Sequence, residues 1–353
     1  MSTLTLAVIA TVVTLFVTRS IVIPIMFGIF FSLLLSPLVR WMRRILHIPP
    51  SLGSVIVIIM TLGALSYGVY SLAGPARSWA DMAVQEWPEI QKRLAVIKKP
   101  IADLSQVTKE VDAATSLESD GRNEVVATVK ARGNPLSGLL NGGAYASFSV
   151  LVAIFLALLL MQRPDSFLSK VLSVLPKLEE KKRAVQIARS VEESLSRYLV
   201  SVTIINLCLG VAVGVMCHFI GLPNAVLWGA LAGILNFVPY LGALAGIAIV
   251  SLVSMMTFDN GTQVFLAPLF YLLLNGLEAY VITPIIIGRT TALSPVVVFI
   301  AIIAFGWLWG PAGTFLAVPI VMAAKIVALH LDEESVLGVL LSETEHPEVE
   351  TKS

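Results

Sequence analysis

One acidic residue, Glu278, lies inside a long apolar run, whereas every other Asp and Glu can be placed in a loop, an insertion or the tail. Asn275 precedes it by one helical turn and would share its face. A carboxyl group inside a membrane span is costly unless it faces a cavity or a partner, so Glu278 is a candidate for exchanging protons or coupling ions. Two structural alternatives remain open: an ion pair with Arg289 or Lys325, and snorkelling toward the end of the segment.

Three further polar side chains, Asn206, Asn236 and Thr283, also fall within or beside apolar runs. Their oxygens could bind a solute or a monovalent cation, although hydrogen bonding between helices is the commoner role of such residues. The sequence has no phosphate-binding Gly-x-x-x-x-Gly-Lys-Ser/Thr loop and no catalytic constellation in the spans. Its two cysteines offer neither a disulfide framework nor a metal-ligand spacing. We therefore expect a non-enzyme without cofactor or metal.

Composition indicates the environment in which these groups must work. The chain is 57% hydrophobic and 13% charged, whereas soluble domains carry about 25% charged residues. A net charge of +1 gives no reason to expect a nucleic-acid partner, so the expected surroundings are a lipid bilayer. Because the apolar runs are continuous, the spans are predicted to be helices rather than barrel strands.

The predicted fold class is therefore all-α, a polytopic membrane protein with about eight transmembrane segments. The candidate segments are Leu4–Thr18, Ile21–Leu38, Leu52–Ala73, Gly142–Met161, Leu199–Ile220, Ala225–Thr257, Gln263–Ile282 and Ser294–Leu329.

Basic residues predict the orientation of these segments. Lys and Arg concentrate in two connections, residues 40–44 and 163–197, whereas the loops at 221–224 and 259–260 carry none. Cytoplasmic loops of membrane proteins are enriched in Lys and Arg. We therefore expect both basic connections, the N-terminus and the C-terminus on the cytoplasmic side.

The resulting organisation has six parts. They are N-terminal spans (1–74), an extracytoplasmic helical insertion (75–141), one span (142–162), a cytoplasmic amphipathic connector helix (163–198), a C-terminal transport core (199–330) and an acidic cytoplasmic tail (331–353).

Two of the apolar runs are too long for one ordinary crossing and are interrupted by Pro and Gly. Pro removes a helix hydrogen bond, and Gly allows the backbone to reverse. Each run could therefore form two short helices joined in a re-entrant hairpin, and the two hairpins with their preceding spans would form an inverted repeat. Kinked spans or simple two-span hairpins are the alternative. The predicted tips contain Pro239, Tyr240 and Gly242 in the first run and Gly310, Pro311 and Gly313 in the second.

Several short motifs resemble the autoinducer-2 exporter family of bacterial permease-like proteins. They are the segments 33–37 (LLLSP), 236–242 (NFVPYLG), 277–284 (LEAYVITP), 310–313 (GPAG) and 316–319 (LAVP), together with Gly288. The resemblance is specific in motif between about Leu222 and Val327 and weakest in the insertion. It implies about eight spans and a transport activity. Members have been linked to export of autoinducer-2 and others to sodium–proton antiport, so family membership does not fix the substrate.

These observations predict a multi-pass secondary transporter of a bacterial inner membrane, expected as a homo-oligomer with a pentamer as one stoichiometry. It would export autoinducer-2 or a similar small polar metabolite, or exchange sodium or lithium for protons. A passive oligomeric channel and a membrane scaffold without transport are the alternatives. A channel would only equilibrate its solute, whereas coupled transport accumulates it.

Overall fold

A computed structural model describes residues 2–85, 135–162, 172–173, 177–287 and 293–331 of the chain. The regular elements bounded here are eleven α-helices and one π-helical segment. They are α1 (Ser2–Val17), α2 (Arg19–Leu46), α3 (Pro50–Gln85), α4 (Pro135–Gln162), α5 (Leu178–Ile220), α6 (Ala225–Leu235), α7 (Leu241–Thr257), α8 (Gly261–Leu277), the π segment (Glu278–Ile282), α9 (Thr283–Ile287), α10 (Pro295–Trp309) and α11 (Pro311–Leu331).

Most of these helices are apolar enough for a bilayer. Among the described residues five are also long enough to cross it: α2, α3, α5, the continuous helix from α8 to α9, and α11. Shorter apolar helices, including α6, α7 and α10, accompany them. The predicted all-α polytopic membrane fold is thus confirmed.

The long helix α5 defines the two ends of the bundle. It has 43 residues, about 65 Å, roughly twice the thickness of a hydrocarbon core. It runs without a break across residue 198, where the sequence predicts the boundary between connector and core. We call the end of the bundle that holds residues 178–198 the connector end and the end near Gly221 the far end.

Two other helices finish at the connector end. Arg183 of α5 donates two hydrogen bonds, of 3.0 and 2.7 Å, to the carbonyl oxygen of His330 near the end of α11. Arg40, close to the end of α2, forms a 3.5 Å ion pair with Glu192. The basic segment 40–44 and the basic connector therefore lie at the same end of the molecule.

Helix α6 packs on α5 with the two backbones in contact. A Cβ atom added to Gly229 would lie 2.4 Å from the carbonyl oxygen of Gly210 and 2.8 Å from the Cα atom of Gly214. One added to Gly233 would lie 2.8 Å from the carbonyl oxygen of Asn206. Small residues that let helix backbones approach closely are a main source of helix association in membranes.

Helices α6 and α7 form a hairpin that opens toward the far end. Helix α5 ends there at Ile220, and α6 begins a few residues later. Three residues separate the end of α7 from the start of α8, and the continuous helix from α8 to α9 ends at Ile287. Ile287 lies beside Arg197 of α5 at the connector end. Both outer ends of the hairpin therefore lie at the far end.

Helices α10 and α11 form a second hairpin with the opposite direction. Leu293, just before α10, packs against the same apolar clusters as Tyr198 of α5, which lies near the connector end. His330 of α11 is held there by Arg183. The order of elements is thus a span with a hairpin opening to the far end, then a span with a hairpin opening to the connector end.

The lengths of the hairpin helices bear on re-entrance. Helix α6 has 11 residues, about 17 Å, well short of a hydrocarbon core of about 30 Å. Helix α11 is longer than expected, with 21 residues, but its last turn lies against the polar connector at Arg183. Re-entrance stays a prediction that this connectivity and these lengths support.

The N-terminal helices surround one side of this core. Thr18 alone separates α1 from α2, and backbone hydrogen bonds cross the junction. Helix α1 contacts α10, where the indole Nε1 of Trp309 donates to the carbonyl oxygen of Leu15 at 3.1 Å. Helices α2, α3 and α4 share a separate apolar cluster around Val57.

The α5–α6 contact gives a stability prediction. Gly229→Ala should lower the free energy of unfolding by about 1–3 kcal/mol, the usual cost of overpacking, because the new methyl group meets backbone atoms that cannot rotate away. Thermal unfolding of the purified protein in detergent measures this. Gly63→Ala, where the added atom meets nothing within 4 Å, is the matched control. Equal stability of the two variants would contradict the proposed packing.

Candidate functional site

The first helix break lies between Leu235 and Leu241 and contains a strained turn. The N–H of Leu241 donates to the carbonyl oxygen of Pro239 at 2.7 Å, which closes a three-residue turn. Tyr240 at its centre has φ 62° and ψ −55°, the rare form of γ-turn. Such conformations cost about 1–3 kcal/mol and tend to occur at functional sites.

Glycines permit the close approach of the chain at both breaks. A Cβ atom on Gly242 would lie 1.9 Å from the carbonyl oxygen of Leu235. At the second break, one on Gly313 would lie 1.9 Å from the carbonyl oxygen of Phe305. In both hairpins, therefore, a glycine in the first turn of the second helix packs on the last turns of the first helix.

The second break itself is a single residue. Gly310 has φ 66° and ψ −148°, a region close to the one that glycine alone occupies. Pro311 follows as the first residue of α11, where a missing N–H has no cost. Of the predicted tip residues, Pro239, Tyr240 and Gly310 lie in the turns. Gly242, Pro311 and Gly313 lie in the first turn of the helix that follows.

The first break contacts the second hairpin. Phe237 of the first break stacks on Phe315 of α11, with ring centroids 5.0 Å apart and an interplanar angle of 20°. The neighbouring Val238 packs against the apolar cluster that α10 and α11 form around Ile302 and Ala317. The first break therefore packs on the oppositely directed second hairpin, partway along α10 and α11.

A buried amide pair adjoins the first break. The Nδ2 of Asn236 donates to the Oδ1 of Asn206 at 2.9 Å. Asn206 is 2% exposed, and its own Nδ2 has no hydrogen-bond partner among the described residues. Asn206 lies about 10 Å along α5 from Leu199, where the apolar run begins. A buried polar atom without a partner is uncommon and can mark a place for water or a ligand.

Glu278 begins the π segment and pairs with Thr283. The hydroxyl group of Thr283 donates to the Oε1 of Glu278, and the N–H of Thr283 donates to the Glu278 carbonyl oxygen. Glu278 is half-buried. Of the alternative cationic partners, Arg289 lies outside the described residues and Lys325 is half-buried on α11.

The π geometry is what brings these two side chains together. In an α-helix, residues five apart are rotated by about 140° around the axis, whereas a π turn stacks them. Pro284 follows directly and lacks the N–H that would continue an α-helical ladder. Single π turns often occur at functional sites. This turn was not predicted from the sequence, and Pro284 is the signal that could have indicated it.

Asn275 lies in a different environment from Glu278. It is 7% exposed, and its Nδ2 donates to the carbonyl oxygen of Tyr271 on its own helix at 3.0 Å. Its Oδ1 and the Tyr271 hydroxyl oxygen are buried without a hydrogen-bond partner in the described part of the chain. The hydroxyl group of Tyr271 lies directly against Gly246 of α7. Tyr271 was not singled out from the sequence.

The structure therefore arranges the candidate residues in two polar centres. One is the Asn206–Asn236 pair beside the contact between the hairpins, and the other is the Glu278–Thr283 pair in the π segment. Within the described residues, no three His, Cys, Asp or Glu side chains are placed to hold a metal ion. Amides can hydrogen-bond a solute, and a carboxyl group can exchange a proton or bind a cation.

The sequence is similar to those of known proteins along nearly its whole length. Residues 4–332 match the AI-2E transporter family. The chain is 26% identical to AI-2 transport protein TqsA of Escherichia coli (strain K12), over 92% of this chain and 90% of that protein. It is 26% identical to YhhT of Escherichia coli (strain K12), over 91% of this chain and 88% of that protein. It is 23% identical to YrrI of Bacillus subtilis (strain 168), over 89% of this chain and 87% of that protein.

The family match covers the N-terminal spans, both polar centres and both hairpins, so it extends to every part of the fold described above. The chain belongs to the AI-2E family of transporters.

Proposed function

We propose that this protein is a secondary transporter that moves a small, neutral, polar solute through the contact between its two hairpins. The observation that carries the proposal is the contact of the first helix break with the oppositely directed second hairpin, next to a buried amide whose Nδ2 has no acceptor among the described residues. Transporters with inverted repeats bind their substrates near the bilayer midplane, where interrupted helices meet.

The groups at this contact favour a neutral solute with hydroxyl or carbonyl oxygens. The Nδ2 of Asn206 can donate to such an oxygen, and the rings of Phe237 and Phe315 offer apolar surface beside it. TqsA is named an AI-2 transport protein, so autoinducer-2 is the first solute to test. Export is the proposed direction.

Exchange of sodium or lithium for protons is the second candidate, and the Glu278–Thr283 pair favours it. A half-buried carboxyl group beside a hydroxyl oxygen offers oxygen ligands for a small cation and a site for a proton. Mutually exclusive binding of cation and proton at Glu278 would couple the two fluxes.

We further propose a bacterial inner-membrane location with the connector end in the cytoplasm. The basic segment 40–44 and the basic connector share that end, as expected for cytoplasmic segments. The C-terminal end of α11 lies there too, so the tail would be cytoplasmic, and we expect the N-terminus on the same side. We expect a homo-oligomer, with the pentamer as the first stoichiometry to test.

Replacement of the amide pair should impair solute transport. Asn206→Leu keeps the number and branching of the side-chain heavy atoms but removes the donor and the interhelical bond, so we expect up to about a tenfold lower rate, since one lost hydrogen bond is worth about 0.5–1.5 kcal/mol. Efflux of labelled autoinducer-2 from proteoliposomes measures this. Thr257→Val, which removes a hydroxyl group bonded only within α7 at the far end, should transport normally. Equal rates for both variants would exclude the amide pair from the solute path.

Replacement of Glu278 tests cation coupling. Sealed proteoliposomes with an internal pH dye receive pulses of sodium, lithium or potassium. We expect a cation-dependent proton flux that Glu278→Gln abolishes and Thr283→Val weakens, because the first removes the titrating group and the second its hydrogen bond. An unchanged flux in Glu278→Gln would remove Glu278 from the coupling path. Equilibration without accumulation would indicate a passive channel, and no flux of any solute would indicate a scaffold.

The orientation can be tested with cysteine labelling in intact cells. In a variant lacking Cys208 and Cys217, Pro223→Cys at the far end should react with a membrane-impermeant maleimide. Lys182→Cys at the connector end should react only after lysis. The reverse pattern would overturn the proposed orientation.

A further inference from the structure

A small cleft lies between α5 and α9 at the connector end. Its volume is about 40 Å³, and it is lined by Ser194, Arg197, Tyr198, Ser201, Ile286 and Ile287. Neither polar centre of the proposed transport site includes any of these residues.

The polar wall of the cleft is one face of α5. Residues 194, 197, 198 and 201 recur at the spacing that places side chains along a single side of a helix. Tyr198 also packs against the apolar clusters of α10 and α11, which fixes the position of this wall. The opposite wall consists of two isoleucines in the last turn of α9.

The start of the apolar run of α5 puts the cleft at the depth expected for the lipid headgroups. The apolar run of α5 begins at Leu199, so Arg197 lies at the border between the connector and the bilayer. Arg197 is exposed and can extend its guanidinium group into the headgroup layer. Glu193 lies one turn away on α5, and Glu192 is paired with Arg40. No ion pair of Arg197 occurs among the described residues.

We propose that this cleft binds a phosphate group, supplied by the headgroup of an anionic phospholipid. A guanidinium group pairs with phosphate through two parallel hydrogen bonds. The hydroxyl groups of Ser194 and Ser201 provide further donors, and Ile286 and Ile287 provide apolar surface for the first carbons of an acyl chain. Basic pockets between helices on the cytoplasmic side are sites for anionic headgroups. A soluble phosphorylated metabolite has the same chemistry, but the depth of the cleft favours the lipid.

The experiment measures thermal unfolding of the full-length purified protein in detergent supplemented with phosphatidylglycerol, phosphatidylcholine or soluble glycerol 3-phosphate. We expect phosphatidylglycerol to raise the midpoint by several degrees and phosphatidylcholine to leave it unchanged. Arg197→Gln should lose most of this shift. Arg189→Gln, which removes the same charge from an exposed position of α5 outside the cleft, should keep it.

Each outcome decides the proposal. A shift with phosphatidylglycerol alone, lost in Arg197→Gln, supports the lipid headgroup, whereas an equal shift with glycerol 3-phosphate assigns the same site to a soluble phosphate instead. No shift in the wild type, or equal losses in the two arginine variants, overturns the site. Because binding is measured without any flux, the result does not depend on the transport assays above.

Discussion

The contact between the backbones of α5 and α6 is the constraint on which the rest of the core depends. Lipid tails are as apolar as leucine, so helices in a bilayer gain little from burying apolar side chains and rely on close van der Waals contact. Gly210 and Gly229 provide that contact because neither has a Cβ atom to separate the two chains. The contact fixes the depth of α6 and thereby the place where the first hairpin must turn.

From this contact follows the geometry of the amide pair and of the first break. Gly233 lies on the carbonyl oxygen of Asn206, one turn from the Asn206–Asn236 hydrogen bond. The chain then has to reverse within a few residues, and the strained turn at Tyr240 achieves this. The stack of Phe237 on Phe315 ties the reversed chain to the second hairpin. Strain in one turn is thus held in place by packing on both sides of it.

The polar groups in the core differ in whether other groups of the protein satisfy their hydrogen bonds. Burying an amide or a carboxyl group without partners costs several kcal/mol in a medium like hydrocarbon. The carboxyl group of Glu278 accepts a hydrogen bond from a hydroxyl group that the π turn brings beside it. Asn206, Tyr271 and Asn275 each have one buried side-chain atom without a hydrogen-bond partner among the described residues. Water or a ligand can satisfy atoms of the second kind.

The sequence by itself determined the fold class, the approximate spans and the positions of the two breaks. These follow from local physics, because hydropathy decides which segments enter lipid and Pro and Gly decide where a helix stops. It also identified Glu278, since a charge in an apolar run is visible without any structure. The partner of Glu278 was not visible, because α-helical spacing points to Asn275, whereas a π turn brings Thr283. The contact between the hairpins and the pairing of Asn206 with Asn236 depend on distances between segments far apart in the chain, and only the tertiary structure decided them.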